Sequence, residues 1–189
     1  TREGKTKAGL VGNELYNKTL GLIGTGAIGR RVGQIGKAFG CKVLGYSRTE
    51  RQDAKDIGIT YTSLEELLKE SDIISLHVPL TDETKLLINK ERIDLMKPSS
   101  ILINVARGGV VDSEALAEAL NNDQIAGAGI DVFEMEPPIP QEHPLLNAKN
   151  VVLAPHVAFA TDESMLRRAE ITFDNITEWL KDKPQNVML

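Results

Sequence analysis

Cysteine is almost absent from this sequence: Cys41 is the only one among 189 residues. A single thiol excludes an internal disulfide and a thiolate zinc cluster, and we expect no metal site. Because Cys41 lies in a mostly apolar stretch, we interpret it as a core residue.

Long apolar runs are also missing from the chain. No stretch approaches the roughly 18 to 20 residues that span a bilayer, and residues 1–7 are polar rather than signal-like. We therefore expect a soluble, cytoplasmic protein that does not contact a membrane.

Basic residues show no excess either. Lys and Arg total 22 against 27 Asp and Glu, which gives a net charge of −5. A chain of this charge has no positive field for a polyanion, so we expect no nucleic-acid partner. With 41% hydrophobic and 26% charged residues, the composition is that of roughly one folded domain, not of a disordered or collagen-like chain.

Between residues 19 and 156, short apolar segments alternate with longer amphipathic ones. The predicted strands are 19–24, 42–46, 72–78, 100–106, 126–132 and 151–154. The predicted helices are 28–39, 63–69, 90–96, 113–121 and 162–181. This alternation is typical of βα units around a parallel sheet, and the segments at 72–78 and 100–106 are apolar enough to be central strands. We predict an α/β fold with a Rossmann-type, doubly wound parallel sheet.

A glycine-rich turn, GTGAIG at 24–29, stands directly after the first predicted strand and directly before a helix. Gly24 permits a tight turn, Gly26 lets the backbone approach a pyrophosphate, and Gly29 lets the helix pack close to the strand. The helix N-terminus adds N–H donors for the same anion. The pattern predicts a dinucleotide site; the alternative is a merely structural turn.

The end of the second predicted strand bears on the choice between NAD and NADP. An NAD site usually has an acid here to accept hydrogen bonds from the adenosine ribose. This sequence has Ser47, Arg48 and Thr49 instead, which can bind a 2′-phosphate through hydroxyls and a guanidinium. We therefore favour NADP. NAD stays open because Glu50 and Asp53 lie close, and Arg48 has the alternative of being a solvated surface arginine.

Five motifs, in this order and spacing, closely resemble the D-isomer-specific 2-hydroxyacid dehydrogenases. They are GTGAIG at 24–29, HVPLT at 77–81, NVARGGVVD at 104–112, GIDVFEMEP at 129–137 and PH at 155–156. The resemblance covers nearly the whole chain but implies only the cofactor domain of that family, with the substrate domain largely absent. It implies a hinge segment at 1–18, a dinucleotide-binding domain at 19–182, and the start of a return to the substrate domain at 183–189.

The resemblance also implies three catalytic residues. Arg107 would bind the carboxylate and carbonyl of a 2-oxo acid, His156 would be the acid/base, and Glu136 would orient and charge that histidine. These residue types suit the chemistry, because an imidazolium can supply a proton near neutral pH and a neighbouring carboxylate raises its pKa. His143 is instead interpreted as structural.

Further residues would line the cofactor according to the same resemblance. In chain order they are Ala27 and Ile28 at the pyrophosphate, His77, Val78 and Pro79 on the ribose side, Thr84 near the phosphates, Val105, Ala106 and Arg107 at the nicotinamide ribose, Asp131 at the carboxamide, and His156. Phe159 stands where many relatives have a small residue, so it either alters the substrate size preference or simply packs.

The resemblance thus implies an enzyme, an NAD(P)-dependent oxidoreductase. It would transfer hydride between nicotinamide and a small D-2-hydroxy acid or 2-oxo acid, such as glyoxylate or hydroxypyruvate, as a homodimer. Two alternatives remain: a nucleotide-sensing binding protein similar to transcriptional corepressors of the same fold, and an isolated cofactor domain that binds dinucleotide with little turnover.

Overall fold

The computed structural model describes residues 11–135 and 138–187. The chain forms two compact units, Thr1–Pro155 and His156–Leu189. Within the described residues, the first unit is built on a seven-stranded sheet in which every pairing is parallel. Its strands are β1 (Thr19–Ile23), β2 (Lys42–Tyr46), β3 (Thr60–Tyr61), β4 (Ile73–Leu76), β5 (Ile101–Asn104), β6 (Gly127–Ile130) and β7 (Val151–Leu153).

The strand order is β3-β2-β1-β4-β5-β6-β7. The chain therefore winds outward from β1 to β3, returns to place β4 on the other side of β1, and then continues outward in the opposite direction. In such sheets a crevice opens at the carboxyl ends of the strands where the winding direction changes, here between β1 and β4. The doubly wound Rossmann-type fold predicted from the sequence is confirmed.

Besides two 3₁₀ turns, Gly108–Val110 and Pro144–Asn147, five α-helices accompany these strands in the described part of the first unit. They are α1 (Ala27–Ala38), α2 (Gln52–Asp56), α3 (Leu64–Glu70), α4 (Lys90–Ile93) and α5 (Ser113–Asn121). The Ser63 side chain accepts the Glu66 N–H at 3.2 Å and caps α3. Asp112 caps α5 in the same way, by accepting the Ala115 N–H at 3.0 Å. Each cap satisfies a backbone donor that the first helical turn leaves unpaired.

The core lies on both faces of the sheet, and β1 shows how the sequence divides between them. Leu20 and Leu22 point to one face, where they pack in a cluster that includes Cys41. Ile23 belongs to the larger cluster on the other face, and Gly21 lies against Leu67 of α3 there. Cys41 is 5% exposed, which confirms it as a core residue, and burial raises the pKa of its thiol.

Several predicted boundaries were too long, and four short elements were missed: β3, α2 and the two 3₁₀ turns. The strand predicted at 72–78 ends at Leu76, and the one at 100–106 ends at Asn104. β5 stops there because the Ala106 N–H binds the Asn104 side chain at 3.1 Å instead of a neighbouring strand. The helix predicted at 90–96 is a single turn, α4. The two-residue β3 and the five-residue α2 are too short to produce a recognisable period.

The second unit contains α6 (Asp162–Trp179), close to the helix predicted at 162–181. Its first turn is fixed by a capping box: the Ser164 N–H donates to the Thr161 side chain, and the Thr161 N–H donates to the Ser164 side chain. Among the helices of the described residues, none combines the length and the apolar character needed to cross a membrane.

Candidate functional site

The glycine-rich turn joins β1 to α1 at the point where the winding direction changes. Gly24 has φ +95°, and a Cβ at this position would meet the carbonyl of His77. A Cβ at Gly29 would meet the carbonyl of Gly24, so this glycine lets α1 approach the turn. Gly26 differs, because a Cβ there would meet no protein atom within 4 Å. Gly24 and Gly29 are therefore required by the fold, whereas no contact within the protein requires Gly26.

The N-terminus of α1 opens beside this turn. Gly26 is its N-cap residue, no side chain caps the helix, and the first turn contains no acidic residue. The first backbone N–H groups are thus available to an external acceptor, and the helix dipole favours an anion there. The bare backbone at Gly26 leaves room for the group to approach closely. These features fit a pyrophosphate.

A cleft of about 420 Å³ opens at the same end of the sheet. It is lined by Gly24, Thr25, Gly26, Tyr46, Ser47, Arg48, Thr49, Arg51, His77, Val78, Pro79, Thr81, Glu83, Thr84 and Leu87. The volume is within the usual range for small-molecule and cofactor sites. Nine residues predicted to bind the cofactor lie in this wall: Gly24, Gly26, Ser47, Arg48, Thr49, His77, Val78, Pro79 and Thr84.

Glu50 and Asp53, the two acids that left NAD as an alternative cofactor, are each paired with a cation. Glu50 accepts from Lys55 Nζ at 2.6 Å. Asp53 accepts a hydrogen bond from Arg51 Nε at 3.2 Å and forms an ion pair with Arg30, whose Nη2 lies 3.4 Å from the carboxylate. The hydrogen bond from Arg51 and the charge of Arg30 lower the pKa of Asp53. Neither carboxylate lines the cleft, whereas Arg48 and Arg51 both do.

His77 follows β4 and forms part of the cleft wall. Its Nε2 lies 3.0 Å from Ser75 Oγ. Burial lowers the pKa of His77 from 6.5 to about 4, so the ring is neutral at physiological pH. This side of the cleft therefore contributes an uncharged imidazole.

The loop after His77 is fixed by Thr84. The Thr84 hydroxyl donates to the Pro79 carbonyl at 2.6 Å and accepts the Thr81 N–H at 2.8 Å. These bonds close the loop into a turn on the cleft wall. The hydroxyl that was predicted to lie near the phosphates thus also holds its own loop together.

Arg107 follows β5 at the carboxyl end of the sheet, and its side chain is exposed. Asn104, which is 1% exposed, fixes the turn before it: the side-chain amide donates to the Arg107 carbonyl at 3.0 Å. Sequence reasoning missed this role of Asn104, although a polar residue ending an apolar strand signals a buried amide that needs partners. A Cβ at Gly108 would meet the backbone of Phe133, so the Arg107 turn packs directly on the loop after β6.

The remaining predicted cofactor residues lie outside the cleft wall. Val105 is exposed and Ala106 buried in the turn before Arg107, while Ala27 and Ile28 are exposed on the first turn of α1. Asp131 is 5% exposed after β6, and its backbone N–H donates to the Asn104 carbonyl at 3.0 Å.

Glu134 and His143 form a polar clamp on the loop after β6. His143 is 5% exposed, and its Nε2 lies 3.0 Å from Glu134 Oε1. Ser113 Oγ donates to the other Glu134 oxygen at 2.9 Å. Burial opposes ionisation of Glu134, but hydrogen bonds from its own backbone, Ser113 and His143 outweigh it and lower the pKa of the carboxyl. These contacts agree with a structural role for His143. Glu136 lies outside the described residues.

His156 belongs to the second unit. Its backbone has φ +58°, a left-handed conformation that is uncommon for a residue other than glycine. Such strain occurs preferentially at functional positions. The ring meets the Phe159 ring edge to face, with centroids 5.7 Å apart, and the Arg168 guanidinium lies 5.9 Å from the centroid of Phe159. Phe159 thus packs against the predicted acid/base.

Sequence reasoning missed several residues of the cleft: Thr25, Tyr46, Arg51, Thr81, Glu83 and Leu87. Arg51 and Glu83 carried no motif signal, because their approach to the cleft depends on loop geometry. Within ranges 11–135 and 138–187, no group of three or more His, Cys, Asp or Glu side chains is arranged to hold a metal ion.

Comparison with protein families and with curated proteins finds similarity to one group of oxidoreductases. The family described as D-isomer specific 2-hydroxyacid dehydrogenase, NAD binding domain, matches residues 1–158. A glyoxylate reductase of Aeropyrum pernix is 49% identical over 181 residues, covering 95% of this chain and 54% of the relative. A glyoxylate reductase of Pyrococcus furiosus is 50% identical over 167 residues, covering 88% of this chain and 49% of the relative. The chain thus spans about half the length of these relatives.

Solved structures give the same result. A D-lactate dehydrogenase from Aquifex aeolicus complexed with NAD and lactic acid matches with a TM-score of 0.86 and 43% identity, over 96% of this chain and 59% of that one. An acyclic imino acid reductase in complex with NADPH and D-Arg matches with a TM-score of 0.87 and 35% identity, over 98% of this chain and 58% of that one. The structural relatives therefore include complexes of both nicotinamide dinucleotides.

Proposed function

Because the chain belongs to the D-isomer specific 2-hydroxyacid dehydrogenase family, we propose that it is the cofactor-binding part of an NAD(P)-dependent oxidoreductase acting on small 2-oxo and 2-hydroxy acids. The observation that carries this proposal is the bare backbone at Gly26 beside the uncapped N-terminus of α1. Gly26 faces open space, so a binding role accounts for a glycine that the fold does not need.

NADP is the proposed preference at this site. The second strand ends in Ser47, Arg48 and Thr49, and all three line the cleft. The acids that would favour NAD, Glu50 and Asp53, are paired with cations and lie outside the cleft wall. At the end of β2 a 2′-phosphate would therefore meet hydroxyls and a guanidinium. The carboxylate that does line the cleft, Glu83, comes from the loop after β4 and lies near enough to Arg48 to feel its charge.

The catalytic roles proposed here are those that the family resemblance implies, and the residue types suit the chemistry of the substrate class. When bound, the nicotinamide supplies or accepts the hydride. Arg107 binds the substrate carboxylate, for which its forked guanidinium is suited. His156 donates a proton to the developing alkoxide in reduction and accepts the hydroxyl proton in oxidation. The family resemblance assigns Glu136 the role of orienting His156 and favouring its charged form, and this assignment stays a prediction from the sequence.

Glyoxylate is the first substrate to test, because glyoxylate reductases are among the relatives of highest identity. We propose residues 19–182 as the dinucleotide-binding domain, with 1–18 and 183–189 as links to a substrate-binding domain. Since the chain spans about half of these relatives, we expect it to bind dinucleotide with little turnover by itself.

A homodimer is the proposed assembly. Ile35 of α1 and Phe39, its C-cap residue, are exposed apolar side chains four residues apart, as expected of an interface stripe. A cytoplasmic location and the exclusion of nucleic acid stay predictions from the sequence.

The test is a fluorescence titration of the purified chain with NADPH and NADH in parallel at fixed low salt. We expect NADPH to bind at least about tenfold more tightly, a difference of about 1.4 kcal/mol. Equal or tighter binding of NADH would contradict the NADP preference. Failure to bind either dinucleotide would contradict the proposed function itself.

A further inference from the structure

The cleft contains a second arginine that no sequence motif identifies. Arg51 lies in the cleft wall and forms the N-cap of α2, and its side chain is 53% exposed. Its guanidinium has five N–H donors, of which Nε and one Nη2 hydrogen point at the two oxygens of Asp53. The other donors remain available to a ligand.

The charges of the cleft wall explain why a second cation matters. Its charged residues are Arg48, Arg51 and Glu83. The hydrogen bond from Thr81 lowers the pKa of Glu83, so this residue is a carboxylate at neutral pH. Arg48 alone would leave the wall without net positive charge. Arg51, although it is paired with Asp53, adds a second guanidinium to the wall, and an anion is favoured by two arginines more than by one.

The position of Arg51 is set by a hydrogen-bond relay that begins in the glycine-rich turn. Thr25 is fully buried in this turn, and its Oγ1 lies 2.6 Å from the hydroxyl oxygen of Tyr61. The same tyrosine hydroxyl accepts the Arg51 backbone N–H at 3.1 Å. Because the hydroxyl accepts from Arg51, its hydrogen is available to Thr25. Two hydrogen bonds thus connect the pyrophosphate cradle to the loop that carries Arg51.

Asp53 restrains the same arginine at its other end. Asp53 binds Arg51 and Arg30, and Arg30 Nη1 donates to the Thr25 carbonyl at 3.3 Å. Both the backbone and the guanidinium of Arg51 are therefore connected to Thr25. A cation held in this way loses less side-chain entropy on binding an anion than one that is unrestrained.

Building on the NADP preference proposed above, we infer that Arg51 is a second ligand of the 2′-phosphate and that Tyr61 is the residue that positions it. Arg48 and Arg51 bind the phosphate together. Tyr61 touches neither phosphate nor nicotinamide; it fixes the distance between the glycine-rich turn and the loop of Arg51.

The experiment uses the full chain and two small probes, 2′,5′-ADP and 5′-AMP, which differ only in the 2′-phosphate. Arg51→Gln should weaken binding of 2′,5′-ADP by about tenfold and change binding of 5′-AMP by less than about twofold. Arg31→Gln is the matched control, because Arg31 is an exposed arginine of α1 that binds Gln34 and does not line the cleft. It should leave both affinities unchanged.

The positioning role is tested by Tyr61→Phe, which removes only the hydroxyl. It should reduce the preference for 2′,5′-ADP over 5′-AMP by about threefold or more, a change of about 0.6 kcal/mol. Tyr16→Phe is the control, since Tyr16 is exposed and outside the cleft. A purely structural role of Tyr61 would weaken both probes equally and leave their ratio unchanged, which would overturn its part of the inference.

The outcomes separate this inference from the proposal on which it rests. Equal binding of both probes by the unchanged chain would overturn the NADP preference and this inference with it. A preference that persists undiminished in Arg51→Gln would overturn the inference alone, leaving Arg48 as the phosphate ligand.

Discussion

At the scale of single residues, the environment of a side chain decides what its chemistry can do. Asp53 and Glu50 look available to a ribose when only their position in the sequence is considered. In the structure each is bound to a cation, and neither reaches the cleft wall. His77 is another such case, because burial keeps an ordinarily titratable ring neutral at pH 7.

The low pKa of His77 predicts a pH dependence of stability. The unfolded chain binds a proton at this residue near pH 6.5, whereas the folded chain does so only near pH 4. Between these values the unfolded state binds more protons, so the contribution of His77 is full above pH 6.5 and is lost as the pH falls towards 4. We expect a loss of up to about 3 kcal/mol in the free energy of unfolding.

Urea unfolding at a series of pH values, on the unchanged chain and on His77→Gln, measures this contribution. Subtracting the two curves removes the titration of carboxylates common to both. The difference in the free energy of unfolding between the two proteins should change between pH 6.5 and 4 and should be constant above pH 6.5. Parallel curves over the whole range would show that His77 is not shielded from water as the structure indicates.

At the scale of elements, the β1–turn–α1 segment combines two kinds of glycine. Gly29 is needed because the helix packs against the turn, and Gly24 because of its left-handed backbone. Gly26 has φ −66°, which any residue can adopt, and nothing in the protein occupies the space beside it. The sequence motif alone does not distinguish these roles, but the structure does.

This difference predicts opposite results for two alanine substitutions. Gly29→Ala should lower the free energy of unfolding by about 1–3 kcal/mol, because its methyl group collides with backbone. Gly26→Ala should leave stability unchanged or raise it slightly. It should nevertheless weaken NADPH binding by about tenfold or more, since the methyl group occupies the space of the pyrophosphate. Retention of full NADPH affinity in Gly26→Ala would contradict the role given to this glycine.

The elements also show how far sequence reasoning reaches. The glycine-rich turn, α1 and α5 were predicted closely, because their signals are local: hydrophobic period, capping residues and glycines. β3 was not predicted, because a strand of two residues has no hydrophobic period. The roles of Tyr61, which lies in β3, and of the Arg51 loop that it contacts were therefore missed as well. The role of Asn104 was missed for a similar reason. Its hydrogen bonds to the backbone of Ala106 and Arg107 depend on the turn in which the strand ends.

At the scale of the whole molecule, strand order creates the site. Motifs separated by about fifty residues in sequence meet because β4 returns to the side of β1, so the turn at Gly24 faces His77. This topology was predictable from the alternation of strands and helices. The boundary between the two compact units at Pro155 was not predictable, because no shift in composition and no linker marks it in the sequence.

We propose above all that the cleft between β1 and β4 binds a nicotinamide dinucleotide. Amide chemical-shift mapping of the isotope-labelled chain during an NADPH titration tests whether the ligand occupies this cleft. The largest shifts should fall at 24–29, 47–51 and 77–84. Shifts concentrated instead in the groove at the start of the strands, around Thr19, Lys42 and Thr60, would contradict the claim, as would the absence of any shift at saturating NADPH.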